Sequence, residues 1–161
     1  MIEHLLLAAR WAPSASNRRI QKFVVICDPS TIALVKLLSP GMLGNPQALI
    51  LICNDYLKAE IMGVKIGRDR TNWIDVGAAA QNIMLAAQEV GLASSPATSF
   101  SKRGIRTLLD LPEHLMPEYF VQLGYPAPQA PRKLREGVST RLPLADLVYW
   151  NDQMTRQGED C

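Results

Sequence analysis

The residues best suited to metal or nucleophilic chemistry are two histidines and three cysteines, and their spacing serves neither. His4 and His114 have no cysteine or carboxylate at the separations that build a zinc site. His4 reads as a helix-surface residue and His114 as a loop residue. Cys27 and Cys53 close apolar, strand-like runs, which reads as buried, reduced thiols, and Cys161 leaves the count odd. No serine sits in a nucleophile elbow, and no glycine-rich phosphate loop is present. The carboxylates form no visible acid–base pair. No metal site and no catalytic side chain are therefore expected. An enzyme made of these residues needs a cofactor for its difficult step.

The elements that would position such a cofactor read as follows. Ile2, Leu5, Leu6 and Ala9 have the spacing of one helical face, and Pro13 stops that helix. A polar loop follows at Ser14-Ala15-Ser16-Asn17, then a strand at Phe23–Cys27. Asp28 is placed to cap a short helix reaching Leu38. Ala48–Cys53 reads as a second, buried strand. Residues 55–70 read as a helix or a mobile loop. Asp75–Val90 is the strongest helix, apolar around most of its circumference, with Thr71 or Asn72 as its cap and Gly91 as its left-handed end. A short strand or turn at Leu92–Pro96, a helix capped by Ser101, and a strand at Tyr119–Gly124 follow. Pro126, Pro128 and Pro131 make an extended segment, and Leu144–Trp150 a short helix or strand. Interleaved helices and strands mean mixed α and β structure.

Bulk composition narrows the function classes. The 161 residues suit a single domain over 1–161. A 48% hydrophobic and 20% charged composition excludes global disorder. A net charge of +2 gives no argument for nucleic acid or an anionic membrane as partner. No apolar run approaches the ~20 residues of a membrane helix, and Glu3 stands where a secretory signal carries basic residues. Reduced thiols and no signal give a cytoplasmic expectation.

Four stretches, in order, resemble the nitroreductase family of FMN-dependent oxidoreductases. They are Ala8-Ala9-Arg10-Trp11-Ala12-Pro13-Ser14-Ala15-Ser16-Asn17, Trp73 to Ala87, Gly91 to Phe100, and Phe120 to Pro126 followed by Arg141 to Trp150. The resemblance runs from about residue 2 to 150. It implies an α+β, nitroreductase-like fold: a mainly antiparallel sheet flanked by helices, with the helix over 73–90 at its centre. It implies a homodimer with flavin sites between subunits. It further implies FMN as cofactor, NADH or NADPH as hydride donor, a ping-pong scheme, and a nitroaromatic, quinone or enone as small-molecule acceptor. A flavin-dependent dehydrogenase or oxidase on the same fold, or a non-catalytic dimer acting as a binding protein, are the alternatives.

The resemblance also implies site residues. Pro13, Ser14, Ala15 and Asn17 match the loop that reaches the flavin from the partner subunit. Pro96, Ala97, Thr98 and Ser99 match the turn whose backbone amides face the flavin edge. Such amides stabilise charge developing in the reduced ring. Arg141 matches the arginine of the flavin phosphate, a group that guanidinium suits. Gln81 and Asn82 are expected to be structural. Two departures stand out. The family's Arg-x-Ser-x-Arg segment ahead of the first helix has no counterpart, and Arg19, Ile20 and Gln21 stand where the family commonly has Gln, Pro and Trp. Arg18 or Arg19 offers replacement charge. Each lost charge-assisted hydrogen bond is worth roughly 1.5–3 kcal/mol, so two lost bonds weaken FMN binding by about two orders of magnitude or more.

Overall fold

A computed structural model describes residues 1–65, 70–126 and 142–150. The chain divides into a unit over Met1–Ala127 and a second over Pro128–Cys161. The first holds the sheet. Strands β1 (Gln21–Ile26), β2 (Ala48–Asp55), β3 (Ala93–Ala97) and β4 (Leu115–Gly124) form one sheet in the order β1-β2-β4-β3, and every neighbouring pair is antiparallel. The helices are α1 (Ile2–Arg10), α2 (Pro29–Leu37), α3 (Tyr56–Ile61), α4 (Thr71–Glu89) and α5 (Lys102–Leu108).

β2 explains the layering. All eight of its residues are buried, so its run of Leu and Ile does not alternate with polar residues and both sheet faces need covering. Ala48, Ile50 and Ile52 join Val121 and Leu123 under α1 and α4, where Leu5, Ala9, Val76, Ala79, Ala80 and Ile83 complete one core. Leu49, Leu51 and Cys53 join Phe120 on the other face, under Ile32 and Val35 of α2 and Ile105 of α5. The alanines of α4 let its backbone approach the sheet closely.

The short-range signals behave as the sequence predicts. The Asp28 carboxylate accepts from the Thr31 amide at 2.8 Å and caps α2. Ser101 accepts from the Gly104 amide at 3.1 Å and caps α5. Gly91 ends α4 at φ 76°. Residues 55–70 supply α3, while positions 66–69 lie outside the described residues.

Four expectations need correction. Cys27 is exposed, because β1 ends one residue earlier and the side chain falls beyond the sheet; Cys53 is buried as expected. Thr71 and Asn72 lie inside α4 and not at its cap, which is Arg70 and makes no side-chain cap bond. α4 is not covered all round: Trp73, Ile74 and Leu85 stand 53, 69 and 60% exposed on its outer side. β4 begins at Leu115, four residues before the expected Tyr119.

Among the described residues no helix is long and apolar enough to cross a membrane. In the second unit, residues 142–150 hold one helical turn, Leu144–Asp146. Most of the proline-rich segment lies outside the described residues.

Ile83 is fully buried between α4 and the sheet. Ile83→Ala is expected to cost about 2–5 kcal/mol in urea unfolding, since the rigid sheet beneath cannot collapse into the cavity.

Candidate functional site

Pro13 to Arg19 form a tight loop between α1 and β1. Ser14 is extended, and Ala15–Asn17 make a helical turn. Ser16, Asn17 and Arg19 take φ of 51, 54 and 49°, a left-handed conformation that is unfavourable for residues with a Cβ. The loop keeps it because its polar groups are paired. The Ala15 amide donates to both carboxylate oxygens of Asp75, at 3.1 and 3.2 Å. Asp75 is buried in the first turns of α4. The Arg19 amide donates to Ser14 Oγ at 3.2 Å, and Arg19 Nε to Asn17 Oδ1 at 2.7 Å. Lys58 Nζ donates to the Arg19 carbonyl at 2.7 Å. Asn82 Nδ2 donates to the Ala8 carbonyl at 3.0 Å, the structural role expected of it. Gln81 is exposed.

Beside this loop lies a cavity of about 530 Å³ between α1, β1 and α4. Leu6, Ala12, Pro13, Phe23 and Ala79 make its walls apolar. Ser14 and Gln21 supply polar edges, and charges of both signs line it, Arg10 and Arg19 with Glu3 and Asp75. Gln21 Nε2 is buried with no hydrogen-bond partner among the described residues. An unpaired buried donor is costly, and this one is shielded from the cavity. Of the expected site residues, Pro13 and Ser14 line this cavity, and Ala15 is the loop's anchor.

The other expected group sits elsewhere. Pro96 and Ala97 end β3, and Thr98 and Ser99 turn toward α5. The turn is pinned from below: the Gly41 amide donates to the Ser99 carbonyl at 3.1 Å, and a Cβ on Gly41 would come within 2.8 Å of Ser99 Cβ. Loop and turn lie at the same end of the sheet but flank opposite edge strands, β1 and β3. Three strand spacings, about 14 Å, separate those edges. No residue of the turn lines the 530 Å³ cavity. Arg141 lies outside the described residues.

Near the turn the structure adds a feature that sequence reading missed. Lys102, the first residue of α5, pairs with the carboxylate of Glu118, whose side chain is 1% exposed. The Lys102 ammonium also lies 4.6 Å from the centre of the Trp73 ring. Glu118 has no partner on β2 because the register shifts there: Ile52 faces Tyr119 and Cys53 faces Pro117, leaving Glu118 as the extra residue of a bulge. Burial raises its pKa, and Lys102 opposes that rise. Burial, then Glu118, push the Cys53 thiol up to about 12, so it stays protonated and unreactive.

Two predictions follow from these contacts. Asp75→Ala leaves the Ala15 amide without an acceptor and releases the left-handed loop. Amide exchange at residues 15–19 should speed up by about tenfold or more while the core amides of β2 hold their protection. Lys102→Met strands a buried carboxylate and should cost about 2–3 kcal/mol near neutral pH, less than a fully enclosed pair because Lys102 is partly hydrated. The sign with pH is fixed by the raised pKa. Glu118 binds its proton more tightly folded than unfolded, so the loss shrinks on acidification and grows as pH rises through the carboxylate range. Adding Glu118→Gln should restore most of it, as read by urea unfolding between pH 4 and 8.

Comparison with known proteins agrees with this fold. The sequence model described as the nitroreductase family covers residues 33–125. A relative from Methanothermobacter thermautotrophicus, whose name refers to NADH dehydrogenase and NAD(P)H nitroreductase, is 31% identical over 134 residues, covering 79% of this chain. A relative of the same description from Archaeoglobus fulgidus is 33% identical over 135 residues, covering 78% of this chain. The chain spans 66 and 72% of the lengths of these two. Among solved structures, a nitroreductase family protein from Clostridium difficile 630 superposes with a TM-score of 0.70 at 30% identity, covering 93% of this chain and 84% of that one. Sequence match, shared fold and the four-stranded antiparallel sheet under α4 agree: the chain belongs to the nitroreductase family, a family of oxidoreductase enzymes.

Proposed function

We propose that this protein is an FMN-dependent oxidoreductase that takes hydride from a nicotinamide donor and passes it to a small acceptor, a nitroaromatic, quinone or enone, in two successive half-reactions. The observation that carries the reading is the 530 Å³ cavity beside the Pro13–Arg19 loop. Its apolar walls suit a flat heteroaromatic ring, and Ser14 on its rim suits the ring's polar edge. FMN, when bound, supplies the acceptance and return of hydride. The chain's own residues do the rest. Pro13, Ala12 and Phe23 exclude water from the ring face, and Ser14 Oγ is held in place by the Arg19 amide. The backbone of Ala97, Thr98 and Ser99 offers amides toward developing negative charge, on a turn that Gly41 keeps fixed. Arg141 is assigned to the phosphate on its position in the family pattern.

The same reading requires two copies. In one chain the loop and the turn flank opposite edges of the sheet, so a complete site needs the loop of one subunit beside the turn of the other. The exposed Ile74 and Leu85 of α4, with Leu7 and Trp11 near α1, offer an apolar surface for that contact.

Arg141→Ala is expected to weaken FMN binding by about tenfold or more without changing thermal stability of the flavin-free protein. Titration of flavin-free protein with FMN, followed by fluorescence quenching, reads this. Unchanged affinity would remove Arg141 from the site. Steady-state oxidation of NADH and NADPH with and without each acceptor then tests the activity. No acceptor-dependent turnover in FMN-loaded protein would contradict the proposed reaction.

A further inference from the structure

Outside the flavin cavity, α5 gathers three cations around a separate concavity. Lys102, Arg103 and Arg106 line about 320 Å³, with Met116 as the remaining wall. Among the described residues no carboxylate lines it. Lys102 is already committed to Glu118 and to the Trp73 ring. Arg103 has no acidic partner among the described residues and is exposed. Arg106 donates from Nη1 to the Glu113 carbonyl at 3.4 Å and keeps its other N–H groups free of any described partner. Two guanidinium groups sharing one hollow repel each other unless an anion lies between them. Guanidinium forks match phosphate in shape as well as charge.

The position of this hollow gives the phosphate a source. Arg103 and Arg106 follow Ser99 by four and seven residues. Two extended steps and one turn of helix put them within about 13 Å of the 97–99 turn. That is well inside the length of an extended dinucleotide. A nicotinamide ring stacked at that turn leaves its adenosine half long enough to reach α5. The 2′-phosphate is the group that distinguishes NADPH from NADH.

We infer that Arg103 and Arg106 form the subsite for the adenosine 2′-phosphate, so that the preferred hydride donor is NADPH. This rests on the flavin reading above. It is tested by a measurement that needs no turnover. The FMN-loaded protein is titrated calorimetrically with adenosine 2′,5′-bisphosphate, with 5′-AMP and with inorganic phosphate. The bisphosphate should bind about tenfold or more tighter than 5′-AMP. Arg103→Gln with Arg106→Gln should erase that difference and leave FMN affinity unchanged; each single variant should erase part of it. Equal affinity for the two nucleotides would overturn the subsite. So would a preference that survives in the double variant, or inorganic phosphate binding as tightly as the bisphosphate, which marks an unspecific anion hollow. Flavin binding is read on the same preparation. Failure to take up FMN overturns the flavin reading, whereas normal FMN uptake without bisphosphate preference overturns the subsite alone.

Discussion

The whole structure depends on covering both faces of β2. Eight consecutive buried residues at the centre of a four-stranded sheet leave no face for water. Helices must lie on both sides, and the side taken by α4 decides where chemistry can happen. α4 crosses under α1 with small residues, and its first turns carry a carboxylate into the interior. Asp75 finds its partner in a backbone amide sixty residues earlier, and that contact fixes the loop beside the cavity. The core thus reaches the site through one carboxylate. The loop's left-handed residues show the cost of that shape, and its paired polar groups show how the cost is met.

The polar features divide by position. At the β1 edge the loop is held by Asp75 and bordered by Arg10 and Arg19. On β4, an inner strand, a bulge turns Glu118 into the protein, and Lys102 answers it. The first arrangement sets Ser14 and Gln21 on the rim of an apolar hollow. The second consumes one of the three cations of α5 and leaves two guanidinium groups for an anion. A flat ring with polar edges suits the former and a phosphate the latter, and a nicotinamide-dependent flavoenzyme handles both.

What the sequence made legible follows from range. Asp28 and Ser101 as caps and Gly91 as a helix end depend on residues within one turn of each other, and these agree with the structure, while the strands expected at 23–27 and 48–53 form at Gln21–Ile26 and Ala48–Asp55. The start of β4 was hidden because Pro117 and Glu118 break an apolar pattern, and only a bulge at Glu118, opposite Ile52 and Cys53 of β2, accommodates them. Cys27 was misplaced by a single residue at a strand end, where side-chain direction reverses. The outer side of α4 looked apolar enough to be buried, and within one chain Ile74 and Leu85 are not. Of the site, the loop at 13–17 was visible through family resemblance, while its anchor on Asp75 was not, because nothing local links positions 15 and 75. The meeting of Lys102, Glu118 and Trp73 joins three elements and has no signature along the chain.

The central claim is that this fold still holds its flavin with a cavity bordered by Arg10, Arg19 and Gln21 and with Arg141 on the phosphate. The most direct measurement is the FMN released when protein purified without added flavin is denatured, expressed per chain. About one FMN per chain, or full uptake on adding FMN to the flavin-free protein, is the predicted result. No flavin in the purified protein and no uptake at high FMN concentration would contradict the account.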